Sequence, residues 1–260
     1  MYREQRIVGV VEARMGSKRL PGKVLMALAD RPVLWHVVER AGSVDVIDEV
    51  VVATTTSGRD DTIAEFVDWL DDPAVRTFRG PEDDMLERYY LALRDDPPDL
   101  VVRIPANAPL VSMRYLRRAI LHLVDGDLDG VDSDPKQTGL TPGLGCEAYR
   151  YQALVDAHLL AVRPAERQTV PLFIRNRPHA FRIDYPPPCH NLCSPFRLSL
   201  ECQEDYQLLR RIYRALYRRG KPIDCEQVVR WLGMRPDLAA INAASGRERP
   251  PDYGKPAAGE

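Results

Sequence analysis

Four cations, Arg14, Lys18, Arg19 and Lys23, fall within ten residues of this 260-residue chain, in the segment V-E-A-R-M-G-S-K-R-L-P-G-K-V-L at 11–25. Gly16, Ser17 and Gly22 punctuate the same stretch. Small residues let backbone N–H groups approach a ligand, and guanidinium and ammonium groups neutralise its charge; a polyphosphate needs both. The chain has no G-x-x-x-x-G-K-[ST] sequence, so this loop is not a Walker A motif. By residue type alone, a solvated basic loop has the same composition. No Ser-His-Asp order is readable either, and direct attack on phosphorus needs no protein nucleophile.

The cationic loop follows a short β-branched run, Arg6 to Glu12 (R-I-V-G-V-V-E), which reads as a buried strand. Further strands are predicted over 48–54, 75–78 and 99–104, alternating with helices over 32–41, 60–70 and 82–94. This alternation predicts an α/β fold: a mixed, mostly parallel sheet with helices on both faces. Ligands of such sheets bind beyond the carboxyl ends of the strands. The loops at 13–22, 54–61 and 105–112 are therefore expected to form the site. The second half is less regular. Helices are predicted over 113–124, 151–162, 165–177 (broken at Pro171), 203–219, 224–232 and 236–243, with strands over 143–149, 180–183 and 196–200. Residues 245–260 are polar and rich in Pro and Gly, and are expected to be a disordered tail.

The segment A-R-M-G-S-x-R-L-P-G-K-V-L resembles the signature of the cytidylyltransferase family that includes spore-coat polysaccharide biosynthesis proteins and the activators of the acidic sugars Kdo and sialic acid. The likeness continues through 31–40, 48–55, F-R-G-P-E-D-D-M-L-E-R-Y-Y at 78–90 and V-V-R-I-P-A-N-A-P-L at 101–110, then more weakly through 143–149 and 196–206. The resemblance implies a nucleotide-diphospho-sugar transferase type of Rossmann-like fold, with residues 1–244 as one nucleotidyltransferase domain. It implies attack by an acceptor oxygen on the α-phosphate of CTP with release of pyrophosphate. Arg14 and Lys23 fall on the triphosphate-binding cations of the family and are the implied catalytic pair. Ala13, Met15, Gly16, Ser17 and Arg19 belong to the same phosphate loop, and Thr54, Asp84, Arg88 and Ala106 fall near the implied nucleotide pocket. Glu147 matches a carboxylate on the acceptor side. A homodimer is also implied, with the irregular 140–190 stretch as a protruding acceptor and dimer segment.

Two positions depart from the family pattern. The usual Gly-Asp-x-Pro after strand four, whose Asp holds Mg²⁺, is Ala106-Asn107-Ala108-Pro109 here. The second metal Asp, near residue 200, is replaced by Glu201. Asn107 and Glu201 are thus the implied metal positions, with a weakened hold on Mg²⁺, because hard cations favour anionic oxygen. Three readings of the chain follow: a transferase of CMP to an acidic sugar, sugar phosphate or phosphonate; a divergent nucleotide- or sugar-binding member; and a glycosyltransferase using a D-x-D motif. The last would draw on D-L-D at 127–129 or D-S-D at 132–134, which lie away from the expected strand end.

Composition sets the remaining bounds. Lys plus Arg number 36 against 38 Asp plus Glu, a formal charge of −2, which argues against bulk nucleic-acid or anionic-membrane binding. No stretch approaches the roughly 18 apolar residues of a membrane span. Five Cys without a secretory leader or dense Cys scaffold point to a cytoplasmic setting. The C-H-x-x-C at 189–193 is read as a proline-flanked loop with small thiols rather than a zinc site. His36 is expected in the core.

Overall fold

The β-branched runs form the centre of the sheet. The computed structural model describes residues 2–186 and 190–245. In chain order the elements are β1 (Ile7–Glu12), β2 (Ala27–Leu28), β3 (Arg31–Pro32), α1 (Val33–Gly42), β4 (Glu49–Thr55), α2 (Asp61–Leu70), β5 (Val75–Gly80), α3 (Met85–Leu93) and β6 (Leu100–Pro105). Then come α4 (Met113–Asp125), β7 (Gly130–Val131), α5 (Pro135–Thr138), β8 (Glu147–Arg150), α6 (Tyr151–Leu160), α7 (Pro164–Gln168), α8 (Val170–Arg175), β9 (Ile183–Asp184), α9 (Gln203–Leu216), α10 (Cys225–Gly233) and α11 (Pro236–Ala239).

Seven strands make one sheet in the order β5-β4-β1-β6-β8-β7-β9. The pairs β5–β4, β4–β1 and β1–β6 are parallel, and β8 runs antiparallel to both β6 and β7. The sheet is therefore mixed and mostly parallel, as the alternation predicts. Both faces are covered. Ile7 and Val11 of β1 face a core shared with α1, α4 and α9, while Val8 and Val10 face one shared with α3, α6 and α8. All four are fully buried. Each such side chain contributes about 1.5–3 kcal/mol. A strand buried on both sides cannot alternate with polar residues, which is why R-I-V-G-V-V-E reads as a continuous apolar run. His36 also packs in the core, against the Tyr213 ring, with its Nε2 2.9 Å from the Leu28 carbonyl oxygen.

The second half departs from expectation in four places. No strand forms over 196–200; the amides of Leu198 and Leu200 instead bond to the separate carbonyls of Pro142 and Asn107, each at 2.8 Å. The alternation there seats Leu198 and Leu200 in the core without a ladder. The strand expected over 143–149 starts only at Glu147, because Gly143 has φ +94° and lies against the Leu198–Ser199 backbone. The helix expected over 165–177 divides at Thr169 into α7 and α8. Of the strand expected over 180–183, only Ile183 pairs, in β9 with Asp184. The expected tail from 246 onward, and Cys189, lie outside the described residues. Among the described residues no helix is long and apolar enough to cross a membrane.

Candidate functional site

The cationic loop leaves β1 at the carboxyl end of the sheet and is held in a fixed shape. The Ala13 amide bonds to the Ala53 carbonyl, and the amides of Ser17 and Gly22 both bond to the Met15 carbonyl. Gly22, at φ +70°, takes a left-handed turn into a short 3-10 segment that begins at Lys23. Asp60 anchors the loop from the other side. Its Oδ1 accepts the Met15 amide at 2.7 Å, its other oxygen accepts the Thr55 hydroxyl, and the residue is buried. Its place ahead of α2 reads in sequence as a helix-dipole partner, so this anchoring role was missed.

A cleft of about 210 Å³ opens over the loop, lined by Ala13, Arg14, Ser17, Arg19, Lys23, Arg88, Ala106, Asn107 and Glu201, with Glu12 and Met85. Asn107 and Glu201 come from segments 94 residues apart, yet the Asn107 amide donates to the Glu201 carboxylate. The other Glu201 oxygen accepts from Lys23 at 2.9 Å and Arg19 at 2.7 Å. Lys23 also donates to the Leu200 carbonyl at 2.8 Å. The Glu201 backbone is fixed by Asp205, whose carboxylate accepts the amides of Glu201 and Cys202 at the start of α9. Burial opposes the Asp205 charge, but bonds from Asn242, Arg197 and the two amides outweigh it and lower its pKa. Arg88 is buried, and donates to the carbonyls of Pro81 and Glu82. Its pKa is lowered by that burial.

Other residues singled out by the sequence have different surroundings. Met15 and Gly16 shape the loop beside the cleft. Thr54 is buried at the end of β4. Asp84 caps α3 by accepting the Glu87 amide and pairs with Arg167. The D-x-D acids are engaged elsewhere: Asp127 pairs with Arg150 and Arg182, Asp132 with Arg175, and Asp134 caps α5. The basic residues Arg210, Arg211 and Arg214 line a separate groove along α9 with Tyr206 and Tyr217.

A second cavity of about 300 Å³ adjoins the first and shares Pro105, Asn107 and Glu201 with it. Glu147 and Arg103 line it. Arg103 Nη1 donates to Glu147 Oε2 at 2.8 Å, and Nε and Nη2 bind the two oxygens of Glu12. Tyr89 donates to Glu12 at 2.7 Å. Burial alone would discharge Arg103, but the two carboxylates outweigh it and push its pKa up. Arg103 is the lone cation of the run D-L-V-V-R-I. A charge inside a buried strand must find a partner, and that was the available signal for this unpredicted trio.

Among the described residues no group of three or more His, Cys, Asp or Glu is arranged to hold a metal ion. Glu201 and Asn107 lie side by side with the Asn107 amide nitrogen toward the carboxylate, so the amide would have to turn to present its oxygen to an ion beside Glu201. This fits Mg²⁺ carried mainly by a polyphosphate, since the ion is commonly bound through one or two carboxylates plus substrate phosphates.

A family model described as cytidylyltransferase matches residues 8–211. An uncharacterised protein of Methanocaldococcus jannaschii is 30% identical over 239 residues, covering 92% of this chain and 95% of its own. The spore coat polysaccharide biosynthesis protein SpsF of Bacillus subtilis is 27% identical over 246 residues, 92% of this chain and 98% of its own. The solved structure of a cytidylyltransferase from Leptospira borgpetersenii superposes with a TM-score of 0.82 at 23% identity, over 90% of this chain and 97% of that one.

Proposed function

We propose a reaction for this protein from one premise: the chain belongs to the cytidylyltransferase family. It is a nucleotidyltransferase with CTP as its substrate. The acceptor we infer is a small sugar-like molecule, an acidic sugar, sugar phosphate or phosphonate, of the kind consumed in polysaccharide biosynthesis. Its oxygen attacks the α-phosphorus of CTP, the bond to the bridging β-phosphate oxygen breaks, and pyrophosphate leaves.

The observation that carries this reading is the convergence of Arg14, Arg19 and Lys23 with Asn107 and Glu201 around one cleft at the carboxyl end of the sheet. Phosphoryl-type transfer depends on positioning and on neutralising charge. In this reading Arg14 and Lys23 neutralise the triphosphate, and Lys23 exchanges Glu201 for a phosphate oxygen when CTP arrives. Gly16, Ser17 and Arg19 contact the phosphates, with Met15 giving up its amide to Asp60 and shaping the loop. Ala13, Arg88 and Ala106 wall the nucleoside side, and Thr54 and Asp84 support it from behind. Glu201 and the Asn107 oxygen would hold Mg²⁺. The ion would supply charge neutralisation of the triphosphate.

The remaining features of the reading are a single domain over 1–244, a homodimer built on the 140–190 stretch, and a cytoplasmic location. They rest on the family and the composition. Titration with the four nucleoside triphosphates, followed by pyrophosphate release across a panel of acidic sugars, sugar phosphates and phosphonates, tests the function. CTP binding and acceptor-dependent release are expected. Equal binding of all four triphosphates with no release would refute it.

A further inference from the structure

We propose that Glu147 is the general base of the transfer, taking the proton of the acceptor hydroxyl as its oxygen attacks the α-phosphorus. The inference rests on the cytidylyl-transfer reading and adds a residue to it.

The cavity that Glu147 lines shares Pro105, Asn107 and Glu201 with the triphosphate cleft, so an acceptor seated there lies next to the nucleotide. Two carboxylates line this second cavity, and their surroundings are opposite. Glu201 accepts from Lys23, Arg19 and Asn107, so both of its oxygens are already engaged by donors. Among the described residues Glu147 is held through Oε2 alone, by Arg103. Its side chain is 14% exposed, and its second oxygen accepts no hydrogen bond from the described residues. Among the described residues no histidine lines either cavity.

The aim of Glu147 is fixed from behind. Tyr89 holds Glu12, Glu12 grips Arg103 with both oxygens, and Arg103 holds Glu147. A base restrained in this way meets a positional requirement of proton transfer. The charges around Glu147 come from several elements: Arg103 on β6, Glu12 on β1, Asp132 after β7, Arg175 on α8, and Glu201 across the cavity. Burial and the Asp132 charge raise its proton affinity against the pull of Arg103 and Arg175. That moves the carboxylate toward the range in which it can accept a proton at neutral pH.

The step balances. The acceptor O–H bond breaks, with its proton passing to Glu147 and its electron pair forming the new bond to the α-phosphorus. The bond from that phosphorus to the bridging oxygen breaks, and pyrophosphate leaves with the pair. Glu147 then returns the proton to solvent.

The test compares wild type, Glu147→Gln and Glu147→Asp, with Kdo as the acceptor probe and with water alone as a second acceptor. Gln keeps an oxygen for Arg103 but cannot take the proton. CTP affinity is read by calorimetry, folding by the thermal midpoint, and turnover by pyrophosphate release from pH 5 to 9. The expected result for Gln is a kcat at least 100-fold lower with CTP affinity within threefold, and loss of the acidic limb of the pH profile. Asp should keep that limb at an intermediate rate. In wild type, kcat should fall tenfold per unit of pH below the Glu147 pKa while CTP affinity stays flat. That reading stands even if Glu147→Gln does not fold. A Gln variant within threefold of wild-type kcat, or one that keeps the acidic limb, overturns the proposal and leaves the transfer reading intact. A wild type that neither binds CTP nor releases pyrophosphate defeats the transfer reading and the base with it.

Discussion

Replacing Glu201 by Gln should tighten CTP in the absence of metal, although it alters a residue of the site. Before nucleotide arrives, Lys23 is committed to Glu201 at 2.9 Å, and the two side chains are 12% and 25% exposed. Two unit charges about 3 Å apart attract by roughly 5 kcal/mol at an effective dielectric of about 20, before solvation is counted. Water offsets much of this at a half-open cleft, and the more exposed Arg19 adds little. A net competition of about 1–2 kcal/mol remains, which is roughly 5–30-fold in Kd. Calorimetry in EDTA should therefore show Glu201→Gln binding CTP more tightly than wild type by that factor. In saturating Mg²⁺ the gain should shrink, because Gln has only a neutral oxygen for the ion. Weaker CTP binding by the variant in EDTA would show that Glu201 does not compete with the triphosphate for Lys23.

Three further outcomes are expected. Arg14→Ala and Lys23→Ala should each weaken CTP by about 1.5–3 kcal/mol, the worth of a charge-assisted hydrogen bond, measured by the same titration. Asn107→Asp restores a second carboxylate beside Glu201 and should tighten Mg²⁺ in the CTP complex; an unchanged metal affinity would show that residue 107 does not face the ion. Burial lowers the His36 pKa from 6.5 to about 4, so the unfolded chain binds its proton first as pH falls. Stability is thus full above pH 6.5 and is lost between 6.5 and 4, by about 2.5 kcal/mol at pH 4.5. Urea unfolding at pH 7 and 4.5 should show that loss in wild type and not in His36→Gln.

The first half of the fold was legible because its physics is local. Strands buried on both faces must be apolar throughout, and Arg6 to Glu12 and Asp48 to Thr54 declare themselves that way. The phosphate loop was legible for a similar reason, since its cations and glycines are contiguous. The second half depends on long-range contacts that no window contains. Phe196 to Leu200 alternates like a strand, yet its amides bond to Pro142 and Asn107, and only the fold brings those carbonyls near. The meeting of Asn107 with Glu201 could be inferred only from the resemblance. The Glu12–Arg103–Glu147 trio shows the same limit. Arg103 in a buried strand signals a need for partners, but not which carboxylates answer it. Asp60 was hidden because an acid ahead of a helix already has an ordinary explanation.

The central claim is tested most directly by the fate of the α-phosphate. CTP labelled at the α-phosphorus is incubated with the protein, Mg²⁺ and an acidic-sugar acceptor, and the products are separated. The account predicts that the α label moves to the acceptor as a CMP conjugate, one for each pyrophosphate released, and that neither product forms without acceptor beyond slow hydrolysis. Label recovered only in intact CTP, or in free CMP at a rate indifferent to the acceptor, would contradict it.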